Sequence, residues 1–274
     1  MKKTLEPRPI ASPARDEPPS AGLSDDAFLG GRLQLLQPRH GYRAGIDAVL
    51  LAAAVEATDV ATANLLDLGA GVGTVGLCAA RRIASLRVTL IEREPELCDI
   101  AAKNIQRNGL EARVRCIRGA VGTPFGQLAA AGLADESFTH VVANPPFMAP
   151  GTGTNSKSRL KAASHGLQDG QSFDDWARFA ARMLRPDGSV ILIHKADTLF
   201  EVLSSLEGRF GAATVLPLHP RAGEPANRII IKAIKGRRTR LTLMPGLTLH
   251  GEGNSFTPRL DSILRHAAPL KTTQ

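Results

Sequence analysis

No run of about 18 consecutive apolar residues occurs in this chain, so no segment of it reads as a membrane-spanning helix. The opening residues Met1-Lys2-Lys3-Thr4-Leu5-Glu6-Pro7-Arg8-Pro9 lack the apolar stretch of a secretion signal. Cysteine is scarce. Cys78, Cys98 and Cys116 are odd in number, widely spaced and never in a Cys-x-x-Cys pair, which argues against disulfides and against a zinc site. These absences predict a soluble protein of the reducing cytoplasm, with neither a membrane nor a metal ion among its partners. Acidic residues are outnumbered as well: 26 Asp and Glu face 34 Lys and Arg, a net charge of +8, so the surface favours polyanions over membranes or cationic substrates.

What is present suffices for one large domain, since 43% of the 274 residues are apolar. Residues 1–23 carry five prolines and bury too little apolar surface to offset the entropy of ordering, so they read as a flexible tail. Residues 24–60 form an N-terminal unit: a short strand pair around Gly30-Gly31 and a helix over Ala48–Val55 that Asp47 is placed to cap. From 61 to 274 strands and helices alternate, which predicts an α/β fold with a mostly parallel seven-stranded sheet and helices on both faces. Strands are expected at 64–68, 87–91, 112–117, 138–143, 189–194, 213–218 and 228–235, followed by a C-terminal hairpin around Pro245-Gly246. The intervening helices begin near Gly73, Pro95, Pro124, Ser172 and Asp197, and Ser172 with Asp175 has the spacing of a capping box.

Two segments carry chemistry. The first is Asp67-Leu68-Gly69-Ala70-Gly71-Val72-Gly73 at the end of an apolar run. Glycines there let the backbone pass close beneath a ligand, and Gly71, Gly73 and Gly76 also satisfy G-x-G-x-x-G. Glu92 ends the next strand, where a carboxylate can accept hydrogen bonds from ribose hydroxyls, so by that template alone NAD fits. Asp67 shifts the reading. A carboxylate just before the turn suits the ammonium of a zwitterionic methionine moiety and faces an anionic pyrophosphate unfavourably.

The second segment is Asn144-Pro145-Pro146-Phe147, directly after the run Phe138–Ala143. Hydride transfer has no use for it, whereas methyl transfer to a planar nitrogen does. An exocyclic amine or a carboxamide nitrogen is a poor nucleophile because its lone pair is delocalised. The Asn144 side-chain oxygen and the Pro145 carbonyl, each accepting one N–H, favour a tetrahedral nitrogen. The prolines fix φ and remove competing donors, and Phe147 offers a ring on which a base can stack. Basic residues add a polyanion surface: Lys157, Arg159 and Lys161 in the long stretch after Phe147, and Lys235, Arg237 and Arg238 at a strand end.

Through these residues the chain resembles the class I, S-adenosylmethionine-dependent methyltransferases with their Rossmann-like fold, and specifically bacterial tRNA (adenine-N6) methyltransferases that modify a valine tRNA. The resemblance runs from about residue 28 to 266 and includes Leu29-Gly30-Gly31-Arg32-Leu33, the segment Gln37–Asp47 and His219-Pro220-Arg221-Ala222-Gly223. It implies that Asp67, Gly69, Ala70, Gly71, Gly73, Glu92 and Asn144 contact S-adenosyl-L-methionine. It also implies that Asn144, Pro145, Pro146 and Phe147 hold the target amine, and that RNA, specifically tRNA, is the partner. One position departs from it: related enzymes usually carry an acidic residue for the cofactor's adenine amine where this chain has Ala120. Three alternatives stay open at this point. They are a glutamine N5-methyltransferase of a peptide-release factor, an rRNA N-methyltransferase, and a nucleic-acid-binding module with a degenerate cofactor site.

Overall fold

The computed structural model describes residues 22–41, 43–56, 63–146 and 171–272. Phe147, Lys157, Arg159 and Lys161 lie outside these, as does most of the 1–23 segment. Among the described residues no helix is long and apolar enough to cross a membrane.

The N-terminal unit is a hairpin of β1 (Leu23–Phe28) and β2 (Leu33–Pro38), paired from Leu23↔Pro38 to Phe28↔Leu33. Its turn contains Gly30 at φ +66, and a Cβ there would stand 2.4 Å from the Arg265 carbonyl oxygen, so only glycine lets the hairpin seat on the C-terminal helix. Helix α1 (Ile46–Ala53) is capped by Gly45 with no side-chain bond, contrary to the expectation for Asp47. Asp47 lies inside the first turn, where its Oδ2 accepts from Arg228 Nε at 3.3 Å.

The remaining elements are β3 (Asn64–Leu68), α2 (Thr74–Arg82), β4 (Arg87–Glu92), α3 (Pro95–Arg107), β5 (Val114–Arg118), α4 (Phe125–Ala130) and β6 (Phe138–Ala143). After the undescribed segment come α5 (Phe173–Met183), β7 (Leu184–Lys195), a 3₁₀ turn at 196–198, α6 (Leu199–Leu206), β8 (Phe210–His219) and β9 (Arg228–Lys235). The chain ends through β10 (Thr242–Leu243), β11 (Leu247–Thr248) and α7 (Pro258–His266). The long strands lie in the order β8-β9-β7-β6-β3-β4-β5. Five of them, β5 to β7 in that order, run parallel because a helix connects each to the next, whereas β9 is antiparallel to both neighbours. This is the α/β sheet the alternating pattern predicts.

Strand alternation divides the core. Leu65, Leu90, Val142, Ile191 and Ile230 point to the side covered by the hairpin and helices α1, α2, α3 and α7. Their neighbours Leu66, Ile91, Val141, Val190 and Ile231 point to the side covered by α4, α5 and α6. Helix α5 starts on the expected box, with the Ser172 side chain accepting from Asp175 N and the Asp175 side chain accepting from Ser172 N.

Two features differ from expectation. The Pro186-Asp187-Gly188 turn sits within β7 as a bulge: Phe138 pairs with Leu184, then His140 with Ser189. The C-terminal hairpin is absent. Strands β10 and β11 both pair in parallel with β8, Leu243 opposite Val215 and Leu247 opposite Leu218. Pro245, with no N–H to donate, interrupts an edge pairing instead of reversing the chain.

Candidate active site

Parallel register brings the two chemical segments together. Leu68 pairs with Ala143 on one side and with Ile91 on the other. Gly69, Asn144 and Glu92 are the next residues on three adjacent strands, so they meet at one edge of the sheet, with strands about 4.8 Å apart. In an open parallel sheet this carboxyl edge is where ligands bind.

The glycine turn is built to leave backbone exposed to a ligand. Gly69, Gly71 and Gly73 have φ of +66°, +57° and +89°, a left-handed path that L side chains rarely follow. Ala70 N donates to Ile91 O at 2.9 Å, tying the turn to β4. Gly76, in the first turn of α2, gives close helix–strand packing: a Cβ there would lie 2.4 Å from Leu90 Cδ2.

Asp67 is buried, and its Oδ2 accepts from Gly76 N at 2.9 Å. It therefore braces the start of α2 from beneath. Burial raises its carboxyl to about 7, the charge of Glu92 adds to the rise, and the Gly76 bond opposes it. Glu92 is also buried, and its carboxylate gathers three backbone donors: Gly71 N on Oε2 at 2.7 Å, and Arg93 N and Glu94 N on Oε1 at 2.8 and 2.9 Å. Both carboxylates expected at a cofactor thus hold the turn itself. Thr74 Oγ1 and Trp176 Nε1 are buried without a hydrogen-bond partner among the described residues, and the Trp176 ring covers Gly69 closely enough that a Cβ there would be 3.1 Å from Cη2. Unmet polar groups around a backbone cradle fit a polar ligand such as S-adenosylmethionine.

Ala120 lies just beyond β5, its N–H donating to Thr123 Oγ1 at 2.8 Å, and Gln171 Nε2 donates to the carbonyl of Val121. A cleft of about 500 Å³ opens here, lined by Val121, Thr123, Phe125, Gln171, Asp175 and Phe179. Its carboxylate, Asp175, is engaged in the α5 capping box, so it does not stand in for the missing acidic residue.

At the end of β6, Asn144 is half-buried, Pro145 buried and Pro146 half-buried. The Pro146 carbonyl lies 3.3 Å from Nε2 of His194, a residue that sequence reasoning missed. His194 is 3% exposed, its Nδ1 is 2.7 Å from Thr198 Oγ1, and its ring stands edge-on to Phe173 at 5.0 Å between centroids. Burial lowers its basicity, partly opposed by the bond to Pro146. The signal was present in the sequence: the apolar run Val190-Ile191-Leu192-Ile193 ends in a polar residue, as do the runs ending in Asp67 and Asn144.

The structure does not bring Lys235, Arg237 and Arg238 to this edge. Strand β9 runs against β7, with Arg228 opposite Lys195 and Ile234 opposite Ser189, so its end projects from the far edge. Seven residue steps separate Lys235 from Arg228, about 23 Å at 3.3 Å per residue. Lys235 pairs with Glu136 at 2.7 Å and Arg237 with Asp187 at 2.6 Å. Of the described residues, Lys195 and the 78%-exposed Phe200 of α6 stand instead where the chain leaves the site edge.

Residues 44–219, which span both chemical segments, match the methyltransferase small domain family. The tRNA1(Val) (adenine(37)-N6)-methyltransferase of Aeromonas salmonicida (strain A449) is 24% identical over 241 residues, covering 86% of this chain and 94% of that protein. The protein of the same name from Shewanella sp. (strain W3-18-1) is 28% identical over 220 residues, 79% of this chain and 88% of its own. Among solved structures, Atu636 of Agrobacterium tumefaciens, described as a predicted O-methyltransferase, is 31% identical with a TM-score of 0.69, covering 83% of this chain and 100% of that one. TYW2 of P. horikoshii in complex with MeSAdo, at 11% identity, a TM-score of 0.51 and coverage of 80% and 73%, shares the fold. The chain belongs to the methyltransferase small domain family and has the fold of class I S-adenosylmethionine-dependent methyltransferases.

Proposed function

We propose that this protein transfers a methyl group from S-adenosylmethionine to the exocyclic N6 of an adenine in tRNA. One observation carries the reading: Leu68 and Ala143 are register partners on adjacent parallel strands, so the glycine turn and Asn144 follow side by side. Donor and acceptor sites then share one edge. The names of the relatives, the net charge of +8 and the tetrapeptide support RNA adenine over a protein glutamine.

The bound cofactor supplies an electrophilic methyl group on a sulfonium. The turn at 69–73 and Glu92 would hold it, with Trp176 walling the turn on the other side. Asn144 Oδ1 and the Pro145 carbonyl each accept one N–H of the target amine, which localises the nitrogen lone pair toward the methyl group. Phe147, which follows Pro146 in sequence, would supply the ring on which the base stacks. The methylated nitrogen becomes acidic and loses its proton to water, so no strong base is required.

A hydroxyl acceptor, as in the description of Atu636, is less well served. It needs a general base, and among the described residues Asp67 and Glu92 are engaged by backbone N–H groups while His194 Nε2 faces a carbonyl. The test is incubation of unmodified tRNA with the protein and labelled S-adenosylmethionine, followed by nucleoside analysis. N6-methyladenosine is expected; a 2′-O-methylated nucleoside, or methylation of a release factor and not of tRNA, would overturn the reading.

A further inference from the structure

We propose that His194 is the positioning residue of the acceptor segment: its Nε2–H clamps the Pro146 carbonyl, while Thr198 and Phe173 fix the ring that does so. The proposal rests on reading Asn144 to Phe147 as the segment that holds the amine. The backbone there needs such a clamp. Strand pairing of β6 ends at Ala143, opposite Leu68 and Leu192, and neither Pro145 nor Pro146 has an N–H to tie it further. Their carbonyls are the backbone handles left.

Each proline ring fixes φ, so ψ is the remaining torsion. The direction of the Pro146 carbonyl sets ψ at 146, and His194 Nε2 at 3.3 Å sets that direction. A carbonyl only accepts, so the ring proton is on Nε2, and Nδ1 accepts from the Thr198 hydroxyl 2.7 Å away, whose one proton is shared with the Lys195 carbonyl at 2.9 Å. Phe173, at 89° to the imidazole, stops the ring from turning. The clamp joins the ends of β6 and β7 to the start of α5, and thereby aims Asn144 and the Pro145 carbonyl. It leaves no lone pair on Nε2, so His194 acts through the backbone and takes no proton from substrate.

The experiment compares wild type with His194→Phe, His194→Gln and Thr198→Val in the full chain, measuring steady-state tRNA methylation, S-adenosylmethionine affinity and thermal midpoint. Phenylalanine keeps the packing on Phe173 and loses the donor, whereas glutamine keeps a donor. His194→Phe should lower kcat roughly 10- to 100-fold with KM for tRNA and cofactor affinity within about twofold, and His194→Gln should recover most of kcat. Thr198→Val should fall between them. Histidine ¹⁵N NMR of the wild type should show the neutral Nε2–H tautomer at this position. Unchanged kcat in His194→Phe, equal loss in His194→Phe and His194→Gln, or an Nδ1–H tautomer would each overturn the proposal. Failure of the wild type to methylate tRNA would instead sink the proposed function, and the NMR measurement, which needs no substrate, would still decide whether the clamp exists.

Discussion

The Glu92 carboxylate accepts the Gly71 N–H at 2.7 Å, so the end of β4 holds the middle of the glycine turn. The same carboxylate also takes the N–H groups of Arg93 and Glu94. All three partners are donors, which makes the site intolerant of an amide. Glu92→Gln places an NH₂ against at least one N–H, so it should weaken S-adenosylmethionine binding at least about tenfold, close to 1.4 kcal/mol, nearly as much as Glu92→Ala. Calorimetric titration of both variants checks this. Wild-type affinity in Glu92→Gln would mean that the carboxylate is not needed.

Asp67 ties stability to pH. Its folded-state carboxyl is raised from 3.8 to about 7, so between these values the folded protein keeps a proton that the unfolded chain has lost. This group's contribution is therefore most favourable below about pH 4 and is lost as pH rises through 7. Asp67→Asn keeps an acceptor for Gly76 N and removes the charge. At pH 8 it should be more stable than wild type by roughly 2–4 kcal/mol, the difference vanishing near pH 4, yet it should bind S-adenosylmethionine more weakly. Thermal melts of both proteins across that range measure the difference, and a gap independent of pH would refute the assignment.

Asn144→Ala should cut single-turnover methylation at least about 100-fold while leaving tRNA affinity almost intact, because the lost acceptor acts on the nitrogen in the transition state. A normal rate in this variant would remove the tetrapeptide from the mechanism.

RNA affinity should separate the two edges of the sheet. Phe200→Ala with Lys195→Glu, at the site edge, should weaken tRNA binding more than the paired charge reversals Arg237→Glu and Arg238→Glu at the far edge. Affinity should also fall steeply with salt. Filter binding at several salt concentrations gives both results, and a larger loss from the far-edge pair would place the RNA there.

Much of this was legible in local sequence. Strands 138–143 and 228–235 are apolar runs with sharp polar or proline ends, and they form where expected. Ser172 and Asp175 cap α5 because the box needs only three residues of spacing. What local pattern cannot carry is direction. The basic end of β9 goes to the far edge because that strand is inserted against its neighbours. Pro245-Gly246 is a turn signal, but the chain runs on along β8 because that edge offers unpaired partners. His194 went unnoticed because its partner, Pro146, is 48 residues away in sequence.

Asp67 also bears on how the sheet assembles. It is the single charged residue of β3, facing the same side as Leu65 and flanked by Leu66 and Leu68, which face the other. Were β3 to slip by one position against β4 or β6, every side chain would change sides and the carboxylate would be driven into hydrocarbon with no amide to receive it. Off-register pairings of this central strand are thus penalised as α2 docks, because only the native register sets the carboxylate against Gly76 N. The residue that steadies the finished cleft also edits the search that leads to it, so Asp67→Leu should fold through more misaligned intermediates even where its final stability is unharmed.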